Sequence, residues 1–303
     1  MIVVTGAAGF IGSVLARALK DAGHNDLVLV DDAERNPQCL DLWKLEEWLK
    51  ENSKKVDFVF HIGGNSSTVV FDKSVFDKYN VDYSKMVWNF CTENKVPLIY
   101  ASSAATYGDG SGGYSDDHVS IASLKPLNPY GQSKHDFDLW ALSQTKTPPS
   151  WAGLKFFNVY GPNEYHKGRM ASVVLHSFNQ IKEHGKVKLF KYGEQKRDFV
   201  YAKDIAEVCI FLMKNKPSSG IYNVGTGQAR TFKELAEAVF TALDKKPEIE
   251  YVDIPEDIKD KYQSFTEAKI GKLRLAGYSK PFTPLEDGVK DYVLNHLLPK
   301  KHF

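Results

Sequence analysis

The chain has 303 residues, of which 43% are hydrophobic and 25% charged, and its formal net charge is +1. This composition is typical of an ordinary globular protein and argues against a nucleic-acid-binding surface built on bulk charge. The length suits one large α/β domain, alone or with a smaller lobe. The cysteines (Cys39, Cys91, Cys209) are too scattered for a disulfide framework or a zinc site, and no apolar run reaches the roughly 18 residues of a membrane span. We therefore expect a cytoplasmic protein with no bound metal, nucleic acid or membrane partner.

The first predicted strand, Ile2–Val4, leads into a glycine-rich turn and then into a helical pattern over Phe10–Ala22. The glycines are Gly6, Gly9 and Gly12, spaced G-x-x-G-x-x-G. Such a turn lets the backbone approach a pyrophosphate, and the helix N-terminus offers free N–H groups and a partial positive charge. The pattern predicts a dinucleotide-binding turn of a Rossmann-type, doubly wound parallel sheet; an ordinary tight turn is the alternative.

The second predicted strand, Asp26–Val30, ends at two carboxylates, Asp31 and Asp32. An acidic residue about 20 positions after the glycines can bind a ribose hydroxyl. Asp31 favours NAD, because a carboxylate repels the 2′-phosphate of NADP. Arg35 could pair with that phosphate, or it could be a solvated loop charge.

A third buried strand is predicted at Val56–Phe60, and Gly63 and Gly64 follow it. Loops at the carboxyl edge of an open parallel sheet border ligands, so we place these glycines along the cofactor. His61, at the strand end, is interpreted as a structural histidine rather than a catalyst. A helix over Tyr79–Thr92 follows.

The fourth predicted strand, Pro97–Ala101, is followed by two serines, and Tyr130 and Lys134 lie on one face of a later helix. Tyrosine is a poor base at its usual pKa of about 10. A neighbouring ammonium and a positively charged nicotinamide ring would draw the pKa of Tyr130 toward neutrality, and Ser103 would hold a substrate hydroxyl or carbonyl. By itself the Y-x-x-x-K spacing also occurs by chance on amphipathic helices.

Beyond a fifth strand (Leu154–Phe156), Asn158 can hydrogen-bond a sugar hydroxyl or cap a turn, and Arg197 can bind a diphosphate or form a salt bridge. The remaining predicted elements are a helix over Asp204–Lys214, a strand at Ile221–Val224, a helix over Thr231–Leu243 with a capping box, a strand at Ile249–Val252 and a helix over about Leu285–Leu297. The tail Lys300–His302 is expected to be solvated.

The segments TGAAGFIGS, SSAATYG, YGQSK and FNVYGP together resemble the extended short-chain dehydrogenases/reductases that act on nucleotide sugars. Three further segments, Glu164–Ser172, Lys196–Tyr201 and Lys261–Thr266, are similar to the ADP-glyceromanno-heptose 6-epimerase family within that superfamily. The resemblance extends from Met1 nearly to the C-terminus.

The resemblance implies an isomerase that converts ADP-D-glycero-D-manno-heptose to its L-glycero epimer by transient oxidation and re-reduction, in the synthesis of a lipopolysaccharide core precursor. It implies tightly bound NADP, with NAD as the alternative, and a homo-oligomer. A cofactor-binding domain (1–160 plus about 199–227) and a nucleotide-sugar-binding lobe (about 161–198 plus 228–303) are expected.

In the resembled family a tyrosine and a lysine are the two acid/bases, which implies Tyr130 and Lys167 here, with Lys134 and Ser103 completing the catalytic set. The implied cofactor contacts are Gly6, Gly9, Phe10, Ile11, Gly12, Asp31, Asp32, Ile62, Gly63, Gly64, Asn80, Tyr130, Lys134, Val159 and Lys167. The implied substrate contacts are Ser66, Ser103, Asn158, Arg169, His176, Phe190, Arg197 and Tyr262.

The sequence departs from the family pattern at Gln38, where a base is expected, in the His61–Asn65 loop, which lacks an acid, and at Arg169, where a small hydroxyl residue is common. Three rival functions stay open. A UDP-hexose 4-epimerase is the strongest of them. A 4,6-dehydratase is disfavoured because Ala104 and Ala105 occupy the positions of its Asp-Glu pair. A non-catalytic dinucleotide sensor ranks last because the Ser-Tyr-Lys set is intact.

Overall fold

The computed structural model describes residues 1–67, 70, 72–254 and 264–303. Its strands are β1 (Ile2–Thr5), β2 (Leu27–Asp31), β3 (Leu40–Asp41), β4 (Phe58–His61), β5 (Leu98–Ser103), β6 (Trp151–Phe156), β7 (Asn158–Tyr160), β8 (Val187–Phe190), β9 (Lys196–Tyr201), β10 (Gly220–Val224), β11 (Ala229–Thr231) and β12 (Ile249–Val252). Seven of them form one parallel sheet in the order β10-β6-β5-β4-β1-β2-β3. The order reverses direction at β1, the switch point at which open α/β sheets bind ligands.

The helices are α1 (Phe10–Asp21), α2 (Leu45–Asn52), α3 (Lys73–Phe76), α4 (Tyr83–Glu93), α5 (His118–Ile121), α6 (Pro129–Ser143), α7 (Val173–His184), α8 (Ala202–Asn215), α9 (Phe232–Ala242), α10 (Gly271–Leu275) and α11 (Leu285–Tyr292). A π-helical segment, Asp77–Asp82, leads into α4, and another, Val293–Leu297, continues α11. No helix in the described ranges is long and apolar enough to cross a membrane.

Helices cover both faces of the large sheet, which makes the fold a doubly wound α/β fold as predicted. On β1, Val4 faces a core that includes α1 and α8, whereas the next residue back, Val3, faces a core that includes α2, α4 and α6. Both valines are fully buried. Side chains alternate across a strand, so a run of consecutive apolar residues such as Ile2–Val4 belongs to a strand buried on both faces.

A smaller lobe packs beside the sheet around a third core, built by α7, α9, α11 and the strands next to them. Its sheets are β11-β9-β7, in which β9 is antiparallel to β11 and parallel to β7, and the pair β12-β8. The predicted capping box of α9 is present: Thr231 and Glu234 cap each other's backbone N–H. The lobe encloses one side of the cavity described below.

The C-terminal tail Lys300–His302 is exposed, as predicted, although its backbone and the following Phe303 contact the protein. The Tyr165 hydroxyl donates to the backbone oxygens of His296 (3.0 Å) and Lys301 (3.2 Å), and its ring lies 5.2 Å from that of His302. The backbone N–H of Phe303 donates to Asn163 Oδ1 (2.7 Å). These contacts hold the tail against the protein while its lysine side chains stay exposed to solvent.

Candidate active site

A cavity of about 1780 Å³ lies at the carboxyl ends of the parallel strands, between the large sheet and the smaller lobe. Its walls include residues at the ends of β1, β2, β4 and β5 and, from the lobe, Phe199, Phe232 and Leu235. This is the position in which an open α/β sheet binds its ligand. The cavity is larger than a typical drug-sized pocket, and two ligands of nucleotide size require such space.

The glycine turn forms one wall, and its glycines are required by close backbone contacts. A Cβ on Gly6 (φ +68°) would lie 2.6 Å from the Cα of Gly63, and a Cβ on Gly12 would lie 1.9 Å from the carbonyl oxygen of Gly6. The N-cap of α1 is Gly9, which brings no side chain to the N–H groups of the first turn. The wall is therefore bare backbone at a helix N-terminus, which fits a pyrophosphate.

The end of β2 presents carboxylates to the cavity. Asp31 is oriented by two backbone donors, the N–H of Ala8 to Oδ2 (2.9 Å) and the N–H of Asp32 to Oδ1 (2.8 Å). Arg35 also lines this end, and its Nε lies 3.3 Å from Asp32 Oδ2 although its side chain is 84% exposed. The site thus offers a fixed hydrogen-bond acceptor suited to a ribose and one exposed cation beside it.

The loop after β4 forms the adjoining wall through Ile62, Gly63, Gly64 and Ser66. Asn80, predicted as a cofactor contact, is fully buried behind this loop and does not line the cavity. Its Oδ1 accepts the N–H of Asn65 (2.7 Å), and its Nδ2 donates to the Asn65 carbonyl (2.9 Å) and to Ser133 Oγ (2.9 Å). Asn80 therefore fixes the loop rather than facing the space where a ligand binds.

His61 lies under the same loop and makes two hydrogen bonds, which agrees with its structural interpretation. Its Nδ1 lies 2.7 Å from Thr5 Oγ1 and its Nε2 lies 2.8 Å from Ser84 Oγ. Burial, with a smaller contribution from the charge of Lys134, lowers the pKa of His61 to about 3. The ring is therefore neutral at physiological pH and joins β1 to β4.

Ser103, Tyr130 and Lys134 all line the cavity, as the sequence predicts. Asn128 caps α6 by accepting the N–H of Gly131 (2.8 Å), and Pro129 occupies the first turn, so the start of the helix is fixed. Lys134 Nζ donates to the carbonyl oxygen of Ala101 on β5 (2.9 Å). The three side chains thus meet where β5 ends and α6 begins.

Burial governs the electrostatics of this group. Burial lowers the pKa of Lys134 to about 8. Burial raises the pKa of Tyr130, and the charge of Asp138 raises it too, while a hydrogen bond with Ser103 opposes them. Burial therefore disfavours the phenolate, and the predicted lowering of the Tyr130 pKa depends on the positive charge that a nicotinamide would bring.

Lys167 lies in the loop Tyr165–Met170 and lines the cavity from the lobe side. Its ammonium lies 5.0 Å from the ring centroid of Phe10, and burial lowers its pKa against the opposing charge of Glu164. Glu164 is fully buried and accepts hydrogen bonds from the N–H and hydroxyl of Ser172, the N-cap of α7. It anchors the loop that carries Lys167. Sequence reasoning missed this role, because an acid in a polar loop resembles a surface charge.

The predicted substrate residues divide into two groups. Ser66, Ser103 and Asn158 border the cavity, and Asn158 Oδ1 accepts the hydroxyl of Thr266 (3.3 Å). Among the described residues, four predicted contacts do not line it: Arg169, His176, Phe190 and Arg197. Arg197 is buried, with its guanidinium 5.6 Å from the ring of Phe232, itself a cavity residue. Tyr262 lies outside the described residues. The substrate roles of all of them stay predictions.

Several cavity residues were not predicted as site residues, among them Trp43, Met170, Phe199, Phe232, Leu235 and Thr266. Most are apolar side chains within strand or helix patterns, where core packing and ligand contact leave the same sequence signal. Thr266 ends a segment, Lys261–Thr266, that the sequence had singled out for its family resemblance, although only Tyr262 in it was predicted as a site residue.

The fold is that of a Rossmann-type enzyme that uses a nicotinamide cofactor, and Ser103, Tyr130 and Lys134 line one cavity in it. Residues 2–225 match the model of the NAD dependent epimerase/dehydratase family, and the chain belongs to that family. It is 48% identical to an ADP-L-glycero-D-manno-heptose-6-epimerase of Fusobacterium nucleatum and 45% identical to one of Nitratidesulfovibrio vulgaris, each over 98% of both chains. The crystal structure of the Helicobacter pylori ADP-L-glycero-D-manno-heptose-6-epimerase superposes with a TM-score of 0.82 at 29% identity, covering 97% of this chain and 95% of that one.

Proposed function

We propose that the protein converts ADP-D-glycero-D-manno-heptose into its L-glycero epimer by inverting C6. The full-length likeness to relatives that carry this name supports the substrate. The observation that carries the reaction type is that Tyr130 and Lys167, two groups able to exchange protons, line the same cavity from different elements. An inversion needs one such group for each face of the reacting carbon.

C6 carries a hydroxyl and no acidic hydrogen, so direct deprotonation of the carbon is excluded. Reversible acceptance of a hydride is the chemistry that a nicotinamide held in this cavity would supply, and through it C6 could pass through a planar carbonyl and be inverted. The bare glycine turn and Asp31 would hold the dinucleotide. Tyr130, as the phenolate, would take the hydroxyl proton as C6 is oxidised, and Lys167, as the ammonium, would give a proton to the ketone oxygen as the other epimer forms. Proton exchange with solvent would then restore both groups. Lys134 would stabilise the phenolate, and Ser103 would hold the oxygen.

Water elimination is disfavoured as the reaction. Ala104 and Ala105 line the cavity directly after Ser103, and neither can exchange a proton. A dehydratase needs an acid and a base near that position to expel a hydroxyl group.

The direct test is to incubate the purified protein with ADP-D-glycero-D-manno-heptose, without added cofactor, and to follow the configuration at C6 by NMR. We expect conversion, because a tightly bound cofactor would be purified with the protein and would end each cycle in its starting state. Tyr130→Phe and Lys167→Met should each lower kcat by on the order of 10²- to 10⁴-fold. Lys182→Met, an exposed lysine on α7, is the matched control and should leave kcat unchanged. Full activity in both cavity variants would refute the two-base assignment.

We further propose that the cofactor is NADP and that Arg35 binds its 2′-phosphate. Arg35 is exposed, borders the cavity and lies beside Asp32, while the charge of Asp31 is partly balanced by two N–H donors. Arg35→Ala should weaken NADP binding roughly 10- to 100-fold and change NAD binding less than about twofold. Calorimetric titration of the cofactor-free protein measures both affinities. Tighter binding of NAD by the unmodified protein would assign NAD instead.

A further inference from the structure

A buried ion pair lies behind the Ser-Tyr-Lys group and has no place in the mechanism above. Lys155 Nζ on β6 lies 2.7 Å from Asp138 Oδ2 on α6, and both side chains have 0% exposure. Desolvating two charges is costly, so burying such a pair contributes little net stability compared with well-packed apolar residues. Its place in the fold points to a role beyond stability.

Asp138 receives hydrogen bonds from two neighbouring strands. Oδ2 accepts from Lys155 (2.7 Å) and from the hydroxyl of Ser102 (2.7 Å), and Oδ1 accepts from Tyr100 (3.0 Å). Ser102 precedes Ser103 on β5, and Ala101 between the two donors accepts from Lys134. One carboxylate therefore docks α6 on the strand that delivers Ser103.

Lys155 extends the same network to the backbone of Ser103. Its ammonium donates to the hydroxyl oxygen of Thr106 (2.6 Å), and that hydroxyl donates to the carbonyl oxygen of Ser103 (2.8 Å). Tyr130, Lys134 and Asp138 follow one another at four-residue intervals along α6, so the pair lies on the flank of the helix that carries the tyrosine and the lysine.

We propose that Asp138 and Lys155 are positioning residues, a buried ion pair that sets Ser103, Tyr130 and Lys134 relative to one another and keeps an unpaired negative charge away from Tyr130. The proposal rests on the proposed reaction, because it assigns these residues a role in that chemistry. Neither residue lines the cavity.

The charges of Asp138 and Lys155 both bear on the ionisation of Tyr130. The negative charge of Asp138 raises the pKa of both Tyr130 and Lys134. Lys155 places a positive charge 2.7 Å from Asp138 Oδ2, which opposes the effect of that carboxylate at Tyr130. The other titratable groups that share this region are Tyr100, Tyr107, Asp116, His118, His135 and Lys134. None of them contacts Asp138 with a full positive charge as Lys155 does, so removing either member should shift the ionisation of Tyr130.

The two single variants should shift it in opposite directions. Lys155→Met leaves Asp138 unpaired, which should move the acid limb of the kcat–pH profile upward by roughly one unit and lower kcat by on the order of 10²-fold. Asp138→Asn leaves Lys155 unpaired and should move the same limb downward. The double variant Asp138→Asn/Lys155→Met has no unpaired buried charge and should return the limb to within a few tenths of a unit of the wild-type position.

A purely structural pair would lower activity without moving the pH profile, and unmoved limbs in both single variants would overturn the proposal. If either single variant fails to fold, the double variant takes its place. A kcat per folded molecule that is lowered with an unchanged KM is expected, because misplaced catalytic groups slow the chemical step. A wild-type kcat, or an activity lowered only in proportion to the folded fraction, would overturn the positioning role. A readout without substrate separates this inference from the proposed function. Carbon-13 NMR of labelled tyrosines, with NADP bound and the Tyr130 signal identified by Tyr130→Phe, should show the same opposite shifts even if the wild-type protein does not convert ADP-heptose.

Discussion

At the scale of single residues, the glycine turn is the feature that fixes where a cofactor can bind. Gly12 lies within α1, where glycine is otherwise unfavourable, and is required by its contact with the Gly6 carbonyl. Gly12→Ala should therefore abolish dinucleotide binding, because the turn must move away from the helix N-terminus. Cofactor released by acid and quantified by absorbance measures the loss.

The matched control is Gly271→Ala. A Cβ there meets nothing within 4 Å, and the residue opens α10 away from the cavity. Retained cofactor in Gly12→Ala, or equal loss in both variants, would contradict the close-contact explanation.

The lowered pKa of His61 predicts how the free energy of unfolding changes with pH. Its pKa is about 6.5 in the unfolded chain and about 3 in the folded protein, so the unfolded chain binds the proton more readily between these values. The stabilisation is complete above pH 6.5 and is lost as pH falls, by about 2 kcal/mol at pH 5. The free energy of unfolding, measured by urea titration at pH 7 and at pH 5, should fall by about 2 kcal/mol less in His61→Asn than in the wild type. His184→Asn, an exposed histidine, should behave as wild type.

At the scale of elements, Asp198 on β9 connects the lobe to two other segments, one containing Thr226 and Gly227 and the other containing Ala268. Its carboxylate is fully buried and accepts four hydrogen bonds, from the N–H and hydroxyl of Thr226 and from the N–H groups of Gly227 and Ala268. In Asp198→Asn an amide N–H₂ must face donors, so we expect a loss of about 2–4 kcal/mol in the free energy of unfolding.

Denaturant titration checks the Asp198 prediction. Asp253→Asn makes the same chemical change at an exposed carboxylate, 83% exposed in its pair with Lys191, and should cost less than about 0.5 kcal/mol. Equal stability losses in the two variants would refute the anchoring role.

The helices and strands also show which parts of the fold can be predicted from sequence patterns. Periodicity located most of the large sheet, because buried parallel strands are short apolar runs bounded by turns. The prediction contained no element between Tyr160 and Lys196, where α7 and β8 lie. The apolar face of α7 (Val174, Phe178, Ile181) has helical spacing but begins after a cap serine whose partner, Glu164, lies eight residues earlier. Such a contact is visible only once the chain has folded.

The site was predictable where chemistry demands particular residues at fixed spacing, as at Tyr130 and Lys134. It was not predictable where partners come from distant segments. Asp138 and Lys155 look like ordinary helix and strand charges in sequence, and Asn80 resembles a ligand contact although its amide is fully used by Asn65 and Ser133. Tertiary contacts decide these cases.

At the scale of the whole molecule, the cavity joins the large sheet to the lobe, so a bound dinucleotide should stabilise both. A ligand at 100 times its Kd stabilises the folded state by about 2.7 kcal/mol. We expect the melting temperature to rise by several degrees with NADP in one cooperative transition, and Gly12→Ala to show no rise. Two separate thermal transitions, of which only one shifts with NADP, would show that the large sheet and the lobe unfold independently.

The contact between the turns after β1 and β4 also limits which sequences the chain can tolerate. A Cβ on Gly6 meets the backbone of Gly63, and a Cβ on Gly63 would lie 2.9 Å from the backbone nitrogen of Gly6. In a saturation-mutagenesis library selected for activity, both positions should retain glycine alone. No second-site change at the other position could restore a lost variant, because each side chain would meet main-chain atoms that every amino acid shares.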